Sequence, residues 1–344
     1  MAKVRKLKFI DLFAGIGGFR LALDSLGMEC VFSSEWDKFA QETYQANFGH
    51  LPEGDITVIP AKSIPPHDVI CGGFPCQAFS ISGKQKGFGD ARGTLFFDIL
   101  RIARQHKPRL LILENVENFA RHDGGRTLET VVEMLKKAGY SVYFEVLNAS
   151  HFGVPTARKR IFFVAFRKDL KISSFEFPKS YGEPVSLRGF LEDDRLTEKY
   201  VIRRTDIVLK PKQVGPDVFG NYPQTPIQIG IINKGGQGER IYHDLGHAVT
   251  LSAYGGGAAS KTGAYLVNGK IRKLSPRECA RIMGFPEDFV IPVSDSQAFK
   301  QFGNSVAVPV VAAVAKAALT AMGEKVDASQ SPHRDWFENR KKWI

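Results

Sequence analysis

The sequence predicts an α/β protein: a mostly parallel sheet with helices on both faces, and a smaller, mostly β domain set into it. Three observations lead there. Apolar strand-like runs alternate with amphipathic, helix-like segments through the first half of the chain, the pattern of a parallel sheet covered on both sides. After about residue 185 the texture becomes Gly-rich and basic, with short strand candidates and no long helical period. Helical patterning returns after residue 275.

Taken in order, "KLKFIDLFA" reads as a first strand ending at a Gly-rich turn, and "GFRLALDSLG" as a helix stopped by Gly27. "ECVFSSE" and "KFAQETYQANFG" repeat the unit. "DVICGGF", "RLLILENV", "SVYFEVLN" and "RIFFVAF" follow as strands, with "LFFDILRIARQHK" and "TLETVVEMLKKAGY" as helices between them. "SPRECARIMGF", "SDSQAFKQFG" and "VAVPVVAAVAKAALTAM" (306–322) are helices expected to fold back onto the first domain, leaving a cleft. The expected division is therefore residues 1–185 completed by 276–330, a second domain at 186–275, and a basic, aromatic tail at 331–344.

The bulk composition, 43% hydrophobic and 24% charged, is that of a soluble globular protein. The charge is not neutral: 47 Lys and Arg against 36 Asp and Glu leave +11. That excess favours a polyanionic partner, nucleic acid being the commonest, with solubilising surface charge as the alternative. Cys30, Cys71, Cys76 and Cys279 have neither disulfide-scaffold nor metal spacing, so reduced cytosolic thiols and no metal are expected. An export signal is disfavoured because Asp11 and Arg20 interrupt the first apolar run. The 306–322 run is too short for a bilayer and carries Lys316, so it reads as a core helix.

Two places carry chemistry. "DLFAGIGG" (11–18) lies where a strand hands over to a helix, and its glycines let backbone approach a ligand beneath the helix N-terminus. Glu35 ends the second strand, where an acid can hold two ribose hydroxyls. The order F-x-G-x-G-G weakens both a dinucleotide and a P-loop reading. It leaves a nucleoside-containing cofactor, S-adenosylmethionine among the candidates, or simply tight helix–strand packing. Asp55, in "EGDI", adds a polar group at the same sheet edge.

The second place is "GGFPCQAFSISGKQKGFGD" (72–90). Cys76 follows a strand at the carboxyl edge where open α/β sheets bind ligands, and Pro75 fixes the backbone before it. Lys84, Lys86 and Arg92 could favour its thiolate or contact phosphates. Glu114 ends the next strand and can face the same pocket, so the pair suggests covalent catalysis with acid assistance. Singly, each could be a buried thiol or a solvated acid.

These motifs, with "EWD", "GTLFFDILR", "LENV", "LNASHFGVPTARKRIF", "KLSPRECARIMGFP" and "FGNSV" in the same order, resemble the DNA cytosine-5 methyltransferases. The likeness spans all but the tail. It is strongest to the bacterial modification methylases of GCGC type, which methylate the inner cytosine, and extends into "KGGQGERIY", "TLSAYGGG" and "KTGAYLVNGK". It implies a Rossmann-like, S-adenosylmethionine-dependent catalytic domain and a target recognition domain. The catalytic set would be Cys76 attacking C6, Glu114 at N3 and the exocyclic amine, Arg158 at O2, and Arg160 supporting it. The cytosine must leave the stack to be reached.

By the same resemblance Phe13, Gly15, Ile16, Gly17, Gly18, Glu35, Trp36, Asp55, Ile56, Pro75, Leu95, Asn304 and Ser305 would line the cofactor site, Trp36 stacking on adenine. Ser82 and Lys84 on the Cys loop, with Gln237, Arg240, Tyr254, Gly255, Gly256 and Gly257, would meet DNA. Gln237 would fill the gap left by the flipped base, and Arg240 suits guanine O6 and N7. The implied partner is double-stranded DNA, met by a cytoplasmic monomer with no membrane contact, any cognate restriction endonuclease acting separately. Two competing readings are a tRNA cytosine-5 methyltransferase on the same scaffold and a non-catalytic DNA-binding regulator. The Cys-loop signature and residues 186–275 count against the first, and the complete catalytic set against the second. The likeness is weakest over 186–230, and "TARKR" is a more basic version of its segment.

Overall fold

The computed structural model describes residues 6–74, 95–179, 185–210, 212, 214–217 and 222–325. The first strand, β1 (Lys8–Leu12), is buried from its second residue onward, as a central strand covered on both faces must be. Its turn leads into α1 (Gly18–Asp24), then β2 (Glu29–Ser34) and α2 (Lys38–Phe48). Asp37 caps α2 by accepting the Phe39 and Ala40 N–H groups, satisfying donors that have no partner within the helix. Next come β3 (Val69–Gly73), α3 (Leu95–His106), β4 (Leu110–Val116), α4 (Arg126–Lys137), β5 (Tyr140–Asn148) and β6 (Lys159–Arg167).

The six strands form one sheet in the order β2-β1-β3-β4-β6-β5. β2, β1, β3 and β4 are parallel neighbours, and β6 runs antiparallel between β4 and β5. Strand order reverses beside β1, so the ends of β1 and β3 open a crevice at a topological switch point.

The remaining chain holds one helical turn, α5 (Asp194–Thr197), and a five-stranded sheet. Its strands are β7 (Ile207–Leu209), β8 (Gln228–Ile232), β9 (Arg240–His243), β10 (Ala264–Val267) and β11 (Lys270–Lys273), in the order β11-β10-β9-β8-β7. After it come α6 (Pro276–Met283), α7 (Asp295–Asn304) and α8 (Val308–Ala321). Ser275 and Glu278 form a reciprocal capping box at the start of α6.

Two large apolar clusters flank the first sheet. One includes Phe9, Cys71, Ile112 and Val164 together with Ile282, Phe302, Val311 and Val314, so the last helices pack back on that sheet. The other includes Ile10, Leu12, Ile99, Leu111 and Phe163 on the opposite face. The second sheet has a much smaller cluster of its own: Ile229, Ile232, Ile241, Ala259 and Ala264. The α7–α8 run is long and apolar enough to cross a membrane, yet 72% of its apolar window is buried inside this protein. It is a core element.

Candidate active site

The turn after β1 bends back through three left-handed backbone positions, Phe13, Gly15 and Gly17. At Gly17 a side chain would run into the Phe48 ring, with Cζ only 2.6 Å from the added carbon, so both conformation and space call for glycine. Ala14 N–H donates to Ser34 O (2.9 Å), and Glu35 N–H to Glu53 O (2.8 Å), stitching the turn, the end of β2 and the 53–56 segment together. Glu35 is buried, its Oε2 accepting from Gly15 N–H and its Oε1 from Asp37 N–H, both at 2.8 Å. Burial pushes its carboxyl up, against the pull of those donors.

Around Glu35 stand Trp36, 79% exposed with its indole open to a ligand, and buried Ile16 and Ile56. Asp55 is exposed, its carboxylate accepting from Thr57 N–H at 2.9 Å. Leu95 opens α3. Gly18 lies against Ser305, whose Oγ would be 2.9 Å from an added Cβ. The end of α7 therefore packs against the start of α1. Lys300 makes an ion pair with Asp37 (2.6 Å), and Gln301 donates to Phe39 O (2.8 Å), bracing α7 against α2. The sequence reading assigned no role to Lys300, Gln301 or Asp37.

One strand over, Gly73 on β3 is the register partner of Glu114 on β4. A side chain at Gly73 would approach Glu114 Oε2 to 3.0 Å, so the glycine leaves the carboxyl its space. Glu114 is buried, and Arg160 Nε meets its Oε1 at 2.9 Å. Desolvation still pushes the Glu114 carboxyl up, although Arg160 and Arg158 oppose it. Asn115, also buried, donates from Nδ2 to Phe74 O (2.8 Å) and accepts Val116 N–H on Oδ1 (2.8 Å). It thereby anchors the chain just before Pro75. That anchor was not foreseen; the signal was the asparagine in "ENV". Cys76, Pro75, Ser82 and Lys84 lie outside the described residues.

Arg158, two residues before Arg160, has different partners. Its guanidinium is buried and donates to Leu251 O (3.2 Å), Gly303 O (3.2 Å) and Ser305 O (2.5 Å). Both terminal nitrogens donate to backbone carbonyls, and Arg158 acts on Glu114 through its charge rather than through a direct hydrogen bond. Arg160 is the arginine on the carboxylate. Desolvation and neighbouring Arg160 lower the Arg158 pKa to about 9, which leaves it charged at neutral pH.

Arg160 also borders a cavity of about 350 Å³ with Val116, Glu117, Asn118, Ala157, Lys159 and Thr250. Thr250 is shared with a second cavity of about 230 Å³. Gln237, Arg240, Gly255, Gly256, Ser260 and Lys261 line the latter, so three neighbouring stretches of the chain between residues 237 and 263 meet there. Gly257 packs against Gly238 from behind, and Ala259 N–H donates to Gly238 O (2.8 Å). Tyr254 projects with 74% of its surface exposed. The Thr250 hydroxyl donates to Ala157 O (2.6 Å) and ties the two cavities together; it opens the "TLSAYGGG" run, which carried no role for it in the sequence. Among the described residues no three His, Cys, Asp or Glu side chains gather as a metal site.

A crevice at the switch point of an α/β sheet, with a carboxyl–arginine pair at its edge, is the arrangement of an α/β transferase. A family model of the C-5 cytosine-specific DNA methylases matches residues 7–320, and the chain belongs to that family as a DNA cytosine-5-methyltransferase. Among curated relatives it is 56% identical to the type II methyltransferase M.HhaI of Haemophilus parahaemolyticus, over 90% of this chain and 93% of that protein. It is 44% identical to the type II methyltransferase M.HpaII of Haemophilus parainfluenzae, over 94% and 92%. Solved structures share the fold. A Spodoptera frugiperda DNMT2 variant superposes with a TM-score of 0.71 at 21% identity, covering 91% of this chain and 100% of that one. The Dnmt2 of S. pombe gives 0.70 at 22%, covering 92% and 99%.

Proposed function

We propose that this enzyme methylates C5 of a cytosine turned out of duplex DNA, through a covalent bond between Cys76 and C6, at the inner cytosine of GCGC. The observation that carries the reading is buried Glu114, paired with partly exposed Arg160, beside the Phe74 carbonyl that Asn115 holds. Together these make a polar end wall for a flat, hydrogen-bonding ring.

The cofactor cleft fits S-adenosylmethionine by the chemistry of its donors. Each Glu35 oxygen accepts one backbone N–H and keeps a lone pair for a ribose hydroxyl. Trp36 offers an open face to adenine, and Asn304 and Ser305 sit opposite for the amino-acid end. The group supplies, when bound, the methyl that C5 takes up. The protein supplies the rest. Cys76 thiolate adds to C6, and the displaced π electrons make C5 nucleophilic. Glu114, whose carboxyl holds its proton more tightly than usual, donates toward N3 while negative charge develops on the ring. Arg160 faces the carboxyl and, in this reading, O2. Once C5 carries the methyl, a base removes its proton, the double bond re-forms and Cys76 leaves as thiolate.

The GCGC target rests on the likeness of "KGGQGERIY", "TLSAYGGG" and "KTGAYLVNGK" to that type. Its support here is that Gln237, Arg240, Gly256 and Lys261, from those segments, face one cavity. Gln237 would occupy the gap in the duplex, and Arg240 would read guanine in the major groove. The reading extends to a monomer working in the cytoplasm, in a restriction–modification system, with 186–275 as the recognition domain. Bisulfite sequencing of DNA from cells expressing the chain tests it. Protected cytosine at the inner position of GCGC is expected. Methylation at another motif would remove the specificity, and none at all would remove the reaction.

A further inference from the structure

Arg158 is a large buried cation that the chemistry just described leaves unused. Its three acceptors come from two places. Leu251 belongs to the segment leading to Tyr254 and Gly255, which returns from the second sheet. Gly303 and Ser305 belong to the end of α7, at the cofactor cleft. The two segments touch directly as well. A Cβ at Gly303 would come within 2.5 Å of the Ala253 nitrogen, so backbone lies on backbone there. Burying a guanidinium is costly unless its donors are satisfied. Arg158 Nε has no partner among the described residues, so the three carbonyls carry that compensation.

We propose that Arg158 is a positioning residue that couples cofactor binding to DNA binding: it locks 251–254 and 303–305 into one register, so that ordering either segment orders the other. The inference rests on the cofactor and DNA assignments of the preceding section. It needs no movement of Arg158 itself, because a ligand that fixes Ser305 also fixes the guanidinium, and the guanidinium fixes Leu251. Lysine at this position would keep the charge. Its single ammonium lacks the planar fork that reaches three carbonyls in two segments.

The test measures S-adenosylhomocysteine affinity calorimetrically for the full-length protein, with and without a GCGC duplex, and duplex affinity with and without S-adenosylhomocysteine. In the wild type each ligand should tighten the other by the same factor, within the common range of about 5–150-fold. In Arg158→Lys the factor should fall to within about twofold of unity, while S-adenosylhomocysteine alone still binds. Gly303→Ala, which forces the seam apart and displaces a carbonyl that Arg158 uses while leaving the Arg158 side chain in place, should lower it too. Hydrogen exchange on the wild type needs no variant to fold: S-adenosylhomocysteine alone should slow the amides of 251–254. A wild-type factor retained in Arg158→Lys, no coupling in the wild type, or no protection at 251–254 would each overturn the proposal. If the wild type binds no S-adenosylhomocysteine, or fails to methylate the duplex, the functional reading beneath it falls as well.

Discussion

The two sheets of this enzyme present their candidate working groups in different ways. In the six-stranded sheet Glu35 and Glu114 stand at or next to the carboxyl ends of β2 and β4, buried and held by backbone or an opposing arginine. Large apolar clusters support that sheet on both faces. Around the five-stranded sheet, among the described residues, five buried side chains form the local cluster. Its candidate DNA contacts lie on loops locked backbone to backbone at Gly238 and Gly257, or at the exposed start of β9. Rigid strand ends suit chemistry, which tolerates little misplacement. Loops on a thin sheet suit recognition, which can be rewritten without unfolding the enzyme.

That division can be broken by experiment. Cys76→Ala should abolish methyl transfer while duplex binding persists, and measurable turnover would end the covalent reading. Glu114→Gln should lower kcat by about 10²–10³-fold, the loss typical of one transition-state partner, equally for every flanking sequence. A loss that varied with flanking sequence would blur the boundary between chemistry and recognition.

The joint between the sheets should be the most fragile part of the fold. Arg272 on β11 and Glu278 on α6 form an ion pair (2.7 Å) in which both side chains are fully enclosed. Glu278 also caps α6 and accepts Glu192 N–H. Arg272→Met leaves that carboxylate buried without its cation, and should cost about 3–5 kcal/mol in denaturant unfolding. A change no larger than that of a surface substitution would show that the joint contributes little.

Arg240→Ala should leave stability and kcat on the best substrate nearly intact while losing about 1–3 kcal/mol of discrimination at one base pair. Competition between GCGC and single-mismatch duplexes reads this directly. Uniform weakening on all sequences would make Arg240 a phosphate contact instead.

The smallest effect concerns pH. Asp11, wholly buried on β1 beneath the cofactor turn, has its pKa raised to about 8 by desolvation. A raised folded-state pKa means the folded protein binds the proton more tightly than the unfolded chain does. Its contribution is then full below about pH 4 and drains away as pH rises toward 8. Asp11→Asn should therefore gain stability relative to the wild type between pH 5 and about 8. A constant difference across that window would mean that the group does not titrate there.

Much of the catalytic half was readable from residues because its local rules agree. Apolar runs of strand length, separated by amphipathic helices and glycine stops, admit few arrangements. The glycines of 13–18, Glu35 and the Glu114 strand end follow from that pattern. Less was legible where function depends on contacts distant in the chain. Thr250 and Lys300 carry no local signature; their partners are Ala157 and Asp37, 93 and 263 residues away. The insertion of β6 between β4 and β5 was equally invisible, because an apolar run does not disclose its neighbours.

By itself the sequence determined the fold class and the family. Each depends on local periodicity or on an ordered set of short motifs. Only the tertiary structure decided which arginine meets which acceptors. Arg158 and Arg160 are two residues apart, and nothing in "TARKR" separates them. The carbonyls of Leu251, Gly303 and Ser305 arrive from 93 to 147 residues away and take one guanidinium, leaving the other for Glu114. A long, flexible cation goes wherever the surrounding fold offers acceptors, and that offer is made in three dimensions.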